Sequence, residues 1–237
     1  MIRLSGRLQC VADMVVKGER VVDIGTDHAY VPIYLVEKGI RNAAIACDIG
    51  SGPLAIAESN IKKYGQEGHI TTCLSDGLDR VHVQSGDSLI IAGMGGLLIR
   101  DIISRGADKA GMVAELILQP QSEMFELRSY LCLAGFEIRD ENALIEDGKY
   151  YFVIKACPSV NTPIILTDEE KEFGPLLLAK RHPVLKEYLL RQIGIEKEIL
   201  IRLEVEGPSG GALKRREELV THISVMERTI ERYYEMQ

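Results

Sequence analysis

The stretch VVDIGTDHAYVPIYLVEKG, residues 21–39, gathers residue types that could handle a charged ligand. Val21, Val22 and Asp23 lead into Gly25, and a helical apolar pattern comes next at Ala29, Ile33, Leu35 and Val36. That is the outline of a strand, a tight loop and a helix N-terminus, the layout that binds nucleotides. The loop reads G-T-D-H-A, however, and not G-x-G-x-x-G. A pyrophosphate needs bare backbone N–H groups and no anion nearby, so Asp27 would repel it. A sulfonium and an α-ammonium would be attracted. The acid therefore favours a cationic cofactor, S-adenosylmethionine, over a dinucleotide. The structural alternative is that Asp27 turns outward as a helix N-cap.

Three further features belong with this loop if ligands bind at the carboxyl ends of the strands. Asp48 closes the run ACDI, where an acid can accept both ribose hydroxyls, roughly 20 residues after the glycine loop. Ser75-Asp76-Gly77 comes after the next apolar run, and an acid there can accept from an adenine amino group. AGMGG (92–96) ends the run after that, where the backbone must approach something closely. Each feature has an ordinary structural reading: a loop acid, a strand-end acid, tight helix–strand packing. In order, on consecutive strand ends, they describe a pocket for an adenosine-bearing ligand whose loop N–H groups face the ligand.

The elements that must position these residues can be read from periodicity. After an opening helix, strands are predicted at 20–25, 43–49, 69–76, 87–95, 114–120, 137–147 and 149–158. Helical patterns lie between the early ones: YVPIYLVEKG, GPLAIAESNIKKYG, GGLLIRDIISRGADKA and SEMFELRSYLCLAG. Apolar strands alternating with helices imply an α/β fold, a parallel sheet covered on both faces. The short D-G-K link at 147–149 makes the last two strands an antiparallel hairpin. Five alternating units ending in such a hairpin is the layout of a Rossmann-like class I methyltransferase, where a dehydrogenase sheet usually continues in parallel.

The composition shifts near Val160, which divides the chain into a domain at 1–160 and a helical one at 161–237. Thr167 and Glu170 spell a capping box. Gly174-Pro175 and His182-Pro183 interrupt the next stretch, and one long helix is predicted from Pro183 to about Glu204. PSGG (208–211) reads as a turn. Leu219, Ile223, Met226, Ile230 and Tyr233 then recur at spacings of 4, 3, 4 and 3, an a/d seam. The preceding helix offers a looser stripe, Leu185, Leu189, Leu200 and Leu203. Together they predict an antiparallel coiled-coil hairpin.

Composition sets outer bounds. With 237 residues, 46% hydrophobic and 27% charged, the chain is an ordinary globular protein. It has no run of membrane-spanning length and no signal-peptide core near its start, so a cytoplasmic protein is expected. Five cysteines form no C-x-x-C pair and five histidines show no metal spacing, so buried free thiols and no metal are expected. A formal net charge of −7 argues against indiscriminate nucleic-acid binding while allowing a local basic face.

The motifs DIGTDHAYVPI, ACDI, SDGL, IAGMGG and LILQPQ, with a C-terminal coiled coil, resemble the bacterial tRNA (adenine-22-N1)-methyltransferases, the TrmK family. The resemblance covers nearly the whole chain in order, and GTDHAY with AGMGG is far more distinctive than a lone glycine loop. It implies a Rossmann-like S-adenosylmethionine domain joined to a coiled-coil domain, and methylation of N1 of a tRNA adenine. It implies cofactor contacts from Gly25, Thr26, Asp27, His28, Asp48, Ile49, Asp76, Gly77 and Gly93. Val31 stands where leucine is common in the family, and CDIGSGPL replaces a more frequent acidic version.

Adenine N1 carries an in-plane lone pair, so its attack on a methyl sulfonium needs no base. The enzyme must extract the base, align it and exclude water. The methylated adenine becomes cationic, and a carboxylate stabilises that charge. Asp27 is the first candidate and Asp23 the second. Tyr30 is expected to stack on the adenine, and Gln119 either reads its Watson–Crick edge or is a turn residue fixed by Pro120. For RNA, phosphate contacts are expected from Arg3, Arg7, Lys214, Arg215 and Arg216, with tRNA read by shape and the protein acting as a monomer. A small-molecule methyltransferase and a non-catalytic RNA-binding module remain open as alternatives.

Overall fold

The computed structural model describes residues 2–159, 165–206 and 210–235, and the chain divides into two compact units, Met1–Leu166 and Thr167–Gln237. The boundary expected at 160/161 falls among residues 160–164, outside those described. The first unit runs α1 (Gly6–Asp13), β1 (Gly18–Ile24), α2 (Tyr30–Glu37), β2 (Arg41–Asp48), α3 (Ser51–Lys63), β3 (Ile70–Leu74), β4 (Ser88–Met94), α4 (Gly96–Arg105), α5 (Ala107–Ala110), β5 (Glu115–Pro120), α6 (Met124–Leu133), β6 (Phe136–Glu146) and β7 (Lys149–Pro158).

The seven strands form one sheet in the order β3-β2-β1-β4-β5-β7-β6. Strands β1 to β5 pair in parallel, and β7 runs antiparallel between β5 and β6. Every residue of β5 is buried, as is Val21–Ile24 of β1, because helices cover both faces. The hairpin closes through Asp147 (φ 51°) and Gly148 (φ 73°), the two left-handed residues that a type I′ turn requires. Val21, Ile33, Leu35, Ile90, Ile117 and Val153 belong to the core that fixes the strand ends in space.

At the opposite end of the strands from the glycine loop, Glu115 collects a buried polar network. Its carboxylate accepts from Arg41 Nη2 at 3.1 Å, from the Ser88 hydroxyl and from the Val16 amide, and meets Lys155 Nζ at 2.6 Å. Gly18 leaves the room for Arg41, since a Cβ there would overlap the guanidinium.

The run GGLLIRDIISRGADKA is not one helix. It breaks at Gly106, whose backbone (φ −105°, ψ 34°) ends α4 and whose absent Cβ would stand 2.6 Å from Leu78.

The second unit runs α7 (Asp168–Phe173), α8 (Pro175–Ala179), α9 (Pro183–Glu206) and α10 (Gly210–Ile230), then a π-helical turn at Glu231–Glu235. Thr167 and Glu170 form both bonds of the capping box. Leu219, Ile223, Met226 and Ile230 are buried on α10, as are Leu185, Leu189 and Ile193 on α9, while Leu200 and Leu203 are half-buried. His222 Nδ1 meets Glu196 Oε1 at 2.7 Å and Lys197 Nζ meets Glu227 Oε1 at 2.7 Å across the two helices. Tyr233 does not continue the seam. It lies in the π-turn, where i→i+5 bonding shifts the helix phase, and it is half-buried. Of the expected PSGG turn, residues 208 and 209 lie outside those described, and Gly210 already opens α10.

Candidate active site

The sheet order reverses between β1 and β4, and a crevice must open there above the strand ends. A cavity of about 200 Å³ occupies it. The GTDHA loop, the β4 end (Ala92 and Gly93), Arg7 and Leu8 of α1, and Gln121 after β5 build its wall. A second cavity of about 250 Å³ lies at the ends of β2 and β3, lined by Ile49, Leu74, Ser75, Asp76, Asp79 and Arg80.

The loop is held in an unusual conformation. Gly25 (φ 72°), Asp27 (φ 54°) and Ala29 (φ 57°) all take left-handed backbone angles. Two of these are not glycine, and such strain concentrates at functional sites. The N–H groups of Gly25 and Thr26 do not face a ligand as expected: both donate to the Cys47 carbonyl at 2.8 Å. The Asp27 N–H points at Asp48 Oδ2, 3.4 Å away. The loop thus presents side chains, and Asn60 braces it by donating to the His28 carbonyl at 3.0 Å. Ala29, and not Asp27, occupies the N-cap position of α2.

Asp27 projects its carboxylate outward, 65% exposed, with Oδ2 3.2 Å from His28 Nε2. The His28 ring stacks on Tyr30, with centroids 5.2 Å apart. Asp23 sits beneath, 5% exposed, accepting from the Thr26 hydroxyl at 2.6 Å. Burial pushes its pKa up to about 6, against the Thr26 hydrogen bond, and the negative charge of Asp48 adds to the rise. Asp48 Oδ1 accepts from the Gly50 amide at 2.9 Å, fixing the carboxylate at the β2 end. Ile49 stands 70% exposed beside it.

Asp76 is engaged by a partner that the motif does not reveal. Arg105 of α4 grips both of its oxygens at 2.9 and 3.1 Å, and this bonding holds the Asp76 carboxyl below the usual carboxylate range. Gly77 turns the chain with φ 54° and packs against Ile102. The glycines of AGMGG stand in different surroundings. Gly93 (φ 78°) forms the cavity wall at an irregularity in the β4–β5 register. Gly96 is a packing glycine: a Cβ would stand 2.5 Å from the Glu123 carbonyl.

Gln119 is not brought to the cavity surface. It is fully buried, its amide donating to the Pro120 carbonyl at 2.9 Å while its oxygen accepts from Arg7 Nη1 at 2.8 Å. Gln121, two residues on, lines the cavity instead. Arg7, expected to meet RNA phosphate, is half-buried in the same wall. Arg3, Lys214, Arg215 and Arg216 are exposed, and Arg215 reaches Glu218 at 3.2 Å. All five cysteines are free thiols: Cys10, Cys47 and Cys132 are buried, and Cys73 and Cys157 half-buried. Among the described residues, no group of His, Cys, Asp or Glu is placed to hold a metal ion, and no helix is long and apolar enough to cross a membrane.

The model of the tRNA (adenine(22)-N(1))-methyltransferase family, TrmK, matches residues 21–228. The chain belongs to this family. A TrmK relative, the tRNA (adenine(22)-N(1))-methyltransferase of Bacillus subtilis, is 40% identical over 155 residues, a match spanning 65% of this chain and 65% of that protein's length. Two solved structures extend the likeness over almost everything. TrmK of M. capricolum in complex with S-adenosyl-homocysteine superposes with a TM-score of 0.82 at 29% identity, covering 97% of this chain and 99% of that one. A Streptococcus pneumoniae protein in complex with S-adenosyl-L-methionine superposes with a TM-score of 0.81 at 33% identity, covering 96% and 100%. The seven-stranded sheet is thus that of a Rossmann-like methyltransferase.

Proposed function

We propose that this TrmK protein uses S-adenosylmethionine to methylate N1 of adenine 22 in tRNA. The observation that carries the reading is the pair of cavities on adjoining strand ends, one bearing Asp23 and Asp27 and the other bearing Ile49 and Leu74 with Asp76, in a chain of this family. The residues fit the cofactor. Asp23 and Asp27 suit a sulfonium and an ammonium, and Asp48 suits ribose hydroxyls. Exposed Ile49 and Leu74 suit an adenine face, with Asp76 for its amino group. Gly93 presents backbone without a Cβ at the cavity wall, and the missing Cβ of Gly25 makes room for Met94 beside it.

The cofactor supplies a methyl group made electrophilic by its sulfonium. The protein's task is placement and charge. Tyr30, held by its stack on His28, offers a ring face to the target base. Gln121 replaces Gln119 as the amide able to meet the base edge. Asp27 offsets the positive charge that arises on the ring when N1 is alkylated, with Asp23 behind it. No residue is needed as a base, because N1 enters the reaction with a free lone pair. The helical unit acts as an antiparallel coiled coil. Its Lys214, Arg215 and Arg216, with Arg3 of the first unit, serve as phosphate contacts.

The test is incubation with methyl-labelled S-adenosylmethionine and unmodified tRNA, then nucleoside mass spectrometry and mapping. Labelled 1-methyladenosine at position 22 is expected. Cofactor binding without transfer to any tRNA would shift the reading to a small-molecule methyltransferase or a non-catalytic module.

A further inference from the structure

We infer that Cys47 and Cys73 form an oxidisable pair, which a hydroperoxide closes to a disulfide, and that closure weakens cofactor binding beside it. The second half rests on the reading of the two cavities as the cofactor site; the first half does not.

The two cysteines stand opposite each other on neighbouring parallel strands, Cys47 of β2 in register with Cys73 of β3. Opposed residues of adjacent strands point to the same face of the sheet, about 4.8 Å apart. That lies within the about 4.4–6.8 Å between Cα atoms that a disulfide spans. The two side chains are already hydrogen-bonded to each other. The other thiols, Cys10 of α1, Cys132 of α6 and Cys157 of β7, lie on elements outside this strand pair.

The two thiols are not equivalent. β3 is an edge strand of the sheet, and Cys73 is half-buried there. Its Sγ reaches the carbonyl of Arg80, a residue of the cavity wall, at 3.9 Å. Cys47 is fully buried, and burial pushes its thiol well above the ordinary range, with Cys73 and Asp23 adding to the rise. Cys73 is therefore the thiol that an oxidant reaches first, and Cys47 the one that resolves.

The Cys73 sulfur attacks one peroxide oxygen and the O–O bond breaks. Cys73 becomes a sulfenic acid, while the other oxygen leaves with the thiol proton as water or an alcohol. The Cys47 sulfur then displaces the sulfenic oxygen. The S–S bond forms, the S–O bond breaks, and the Cys47 proton departs with that oxygen as water. The peroxide gains two electrons, and each sulfur gives up one overall.

The bond ties β2 to β3 where the site is anchored. The Cys47 carbonyl accepts from the Gly25 and Thr26 amides at 2.8 Å, and the carbonyl of the next residue, Asp48, accepts from the Ser75 amide at 2.9 Å. One covalent link thus acts on the glycine loop and on the Leu74–Asp76 turn together.

The test treats the full-length protein with hydrogen peroxide, blocks the remaining thiols by alkylation and maps the peptides by mass spectrometry. A peptide pair joined through Cys47 and Cys73, and released by dithiothreitol, is expected. Cys73→Ser abolishes it, while its thermal midpoint and its affinity for S-adenosylmethionine when reduced stay near wild type. Cys47→Ala stops the reaction at a sulfenic acid on Cys73, which dimedone captures. In calorimetric titration, oxidised wild type binds S-adenosylmethionine about 10-fold more weakly than the reduced protein, the scale of one lost hydrogen bond in the loop. Dithiothreitol restores the affinity, and peroxide-treated Cys73→Ser shows no such drop.

Peroxide that leaves the two thiols unlinked, or that links either one to Cys10, Cys132 or Cys157 instead, overturns the inference. A Cys47–Cys73 disulfide with unchanged affinity overturns its second half, as does an equal drop in peroxide-treated Cys73→Ser. Reduced wild type that does not bind S-adenosylmethionine overturns the cofactor reading and the second half with it, while the peptide map still decides the first.

Discussion

At the scale of single residues, Asp27 combines two properties that substitution can separate. Its backbone is left-handed, a conformation that asparagine shares and alanine resists. Asp27→Asn therefore keeps the loop and removes the charge. Its single-turnover methylation rate is expected to fall about 100-fold, the scale of one lost electrostatic contact to a transition state. The thermal midpoint should stay within about 3 °C, and full turnover would make the role of Asp27 conformational.

Asp23 predicts a pH effect. Its folded pKa of about 6 lies above the ordinary value of 3.8, so its protonated form is favoured by folding. That contribution is fully present below pH 3.8 and is lost as pH rises through about 6. Asp23→Asn, still able to accept from Thr26, should unfold at higher temperature than wild type at pH 8, and the gap should close toward pH 4. The same variant should bind S-adenosylmethionine more weakly. The two glutamines of L-Q-P-Q show how far residue types reach. Both can read a base edge, and only the depth of β5 beneath Arg7 decides that Gln121 reaches the cavity and Gln119 does not.

At the scale of elements, the sheet is held together at the end away from chemistry. Glu115→Ala leaves buried Arg41 without this counter-charge and frees half-buried Lys155 from it, and should lower stability by about 3–5 kcal/mol in urea unfolding. Cofactor affinity of the folded fraction should be unaffected. Gly96→Ala sets a Cβ against the Glu123 backbone, which cannot swing aside as a side chain would. It should destabilise the protein by about 1–3 kcal/mol, as overpacking does, a loss that differential scanning calorimetry reads directly.

Strand and helix positions were readable because apolar periodicity reports directly on which faces are covered. Two features were not. The break at Gly106 answers to Leu78, far away in sequence, and the π-turn at Glu231–Glu235 interrupts a heptad pattern that the residues themselves continue.

At the scale of the whole molecule, a protein of net charge −7 would meet the proposed tRNA through a minority of its surface. Replacing Lys214, Arg215 and Arg216 together by alanine should weaken tRNA binding and flatten its dependence on salt. The slope of log K against log salt falls by about 0.7–0.9 for each phosphate contact removed. S-adenosylmethionine affinity should not change. Filter binding across a salt series reads the slope, and an unaltered one would show that these cations touch no phosphate.

The sequence by itself determined the α/β alternation, the closing hairpin and the order of the glycine- and acid-bearing motifs on successive strand ends. Those depend on local periodicity and turn chemistry, which are written residue by residue. It also favoured a cationic cofactor, because Asp27 stands where it would repel a pyrophosphate. Tertiary structure decided what long-range packing alone can settle. It turned the loop N–H groups onto Cys47, paired Arg105 with Asp76, buried Gln119, and brought Arg7 of α1 into the wall beside Asp23. A side chain's partner 100 residues away leaves no periodic trace. Its desolvation and its hydrogen bonds exist only once the sheet has formed.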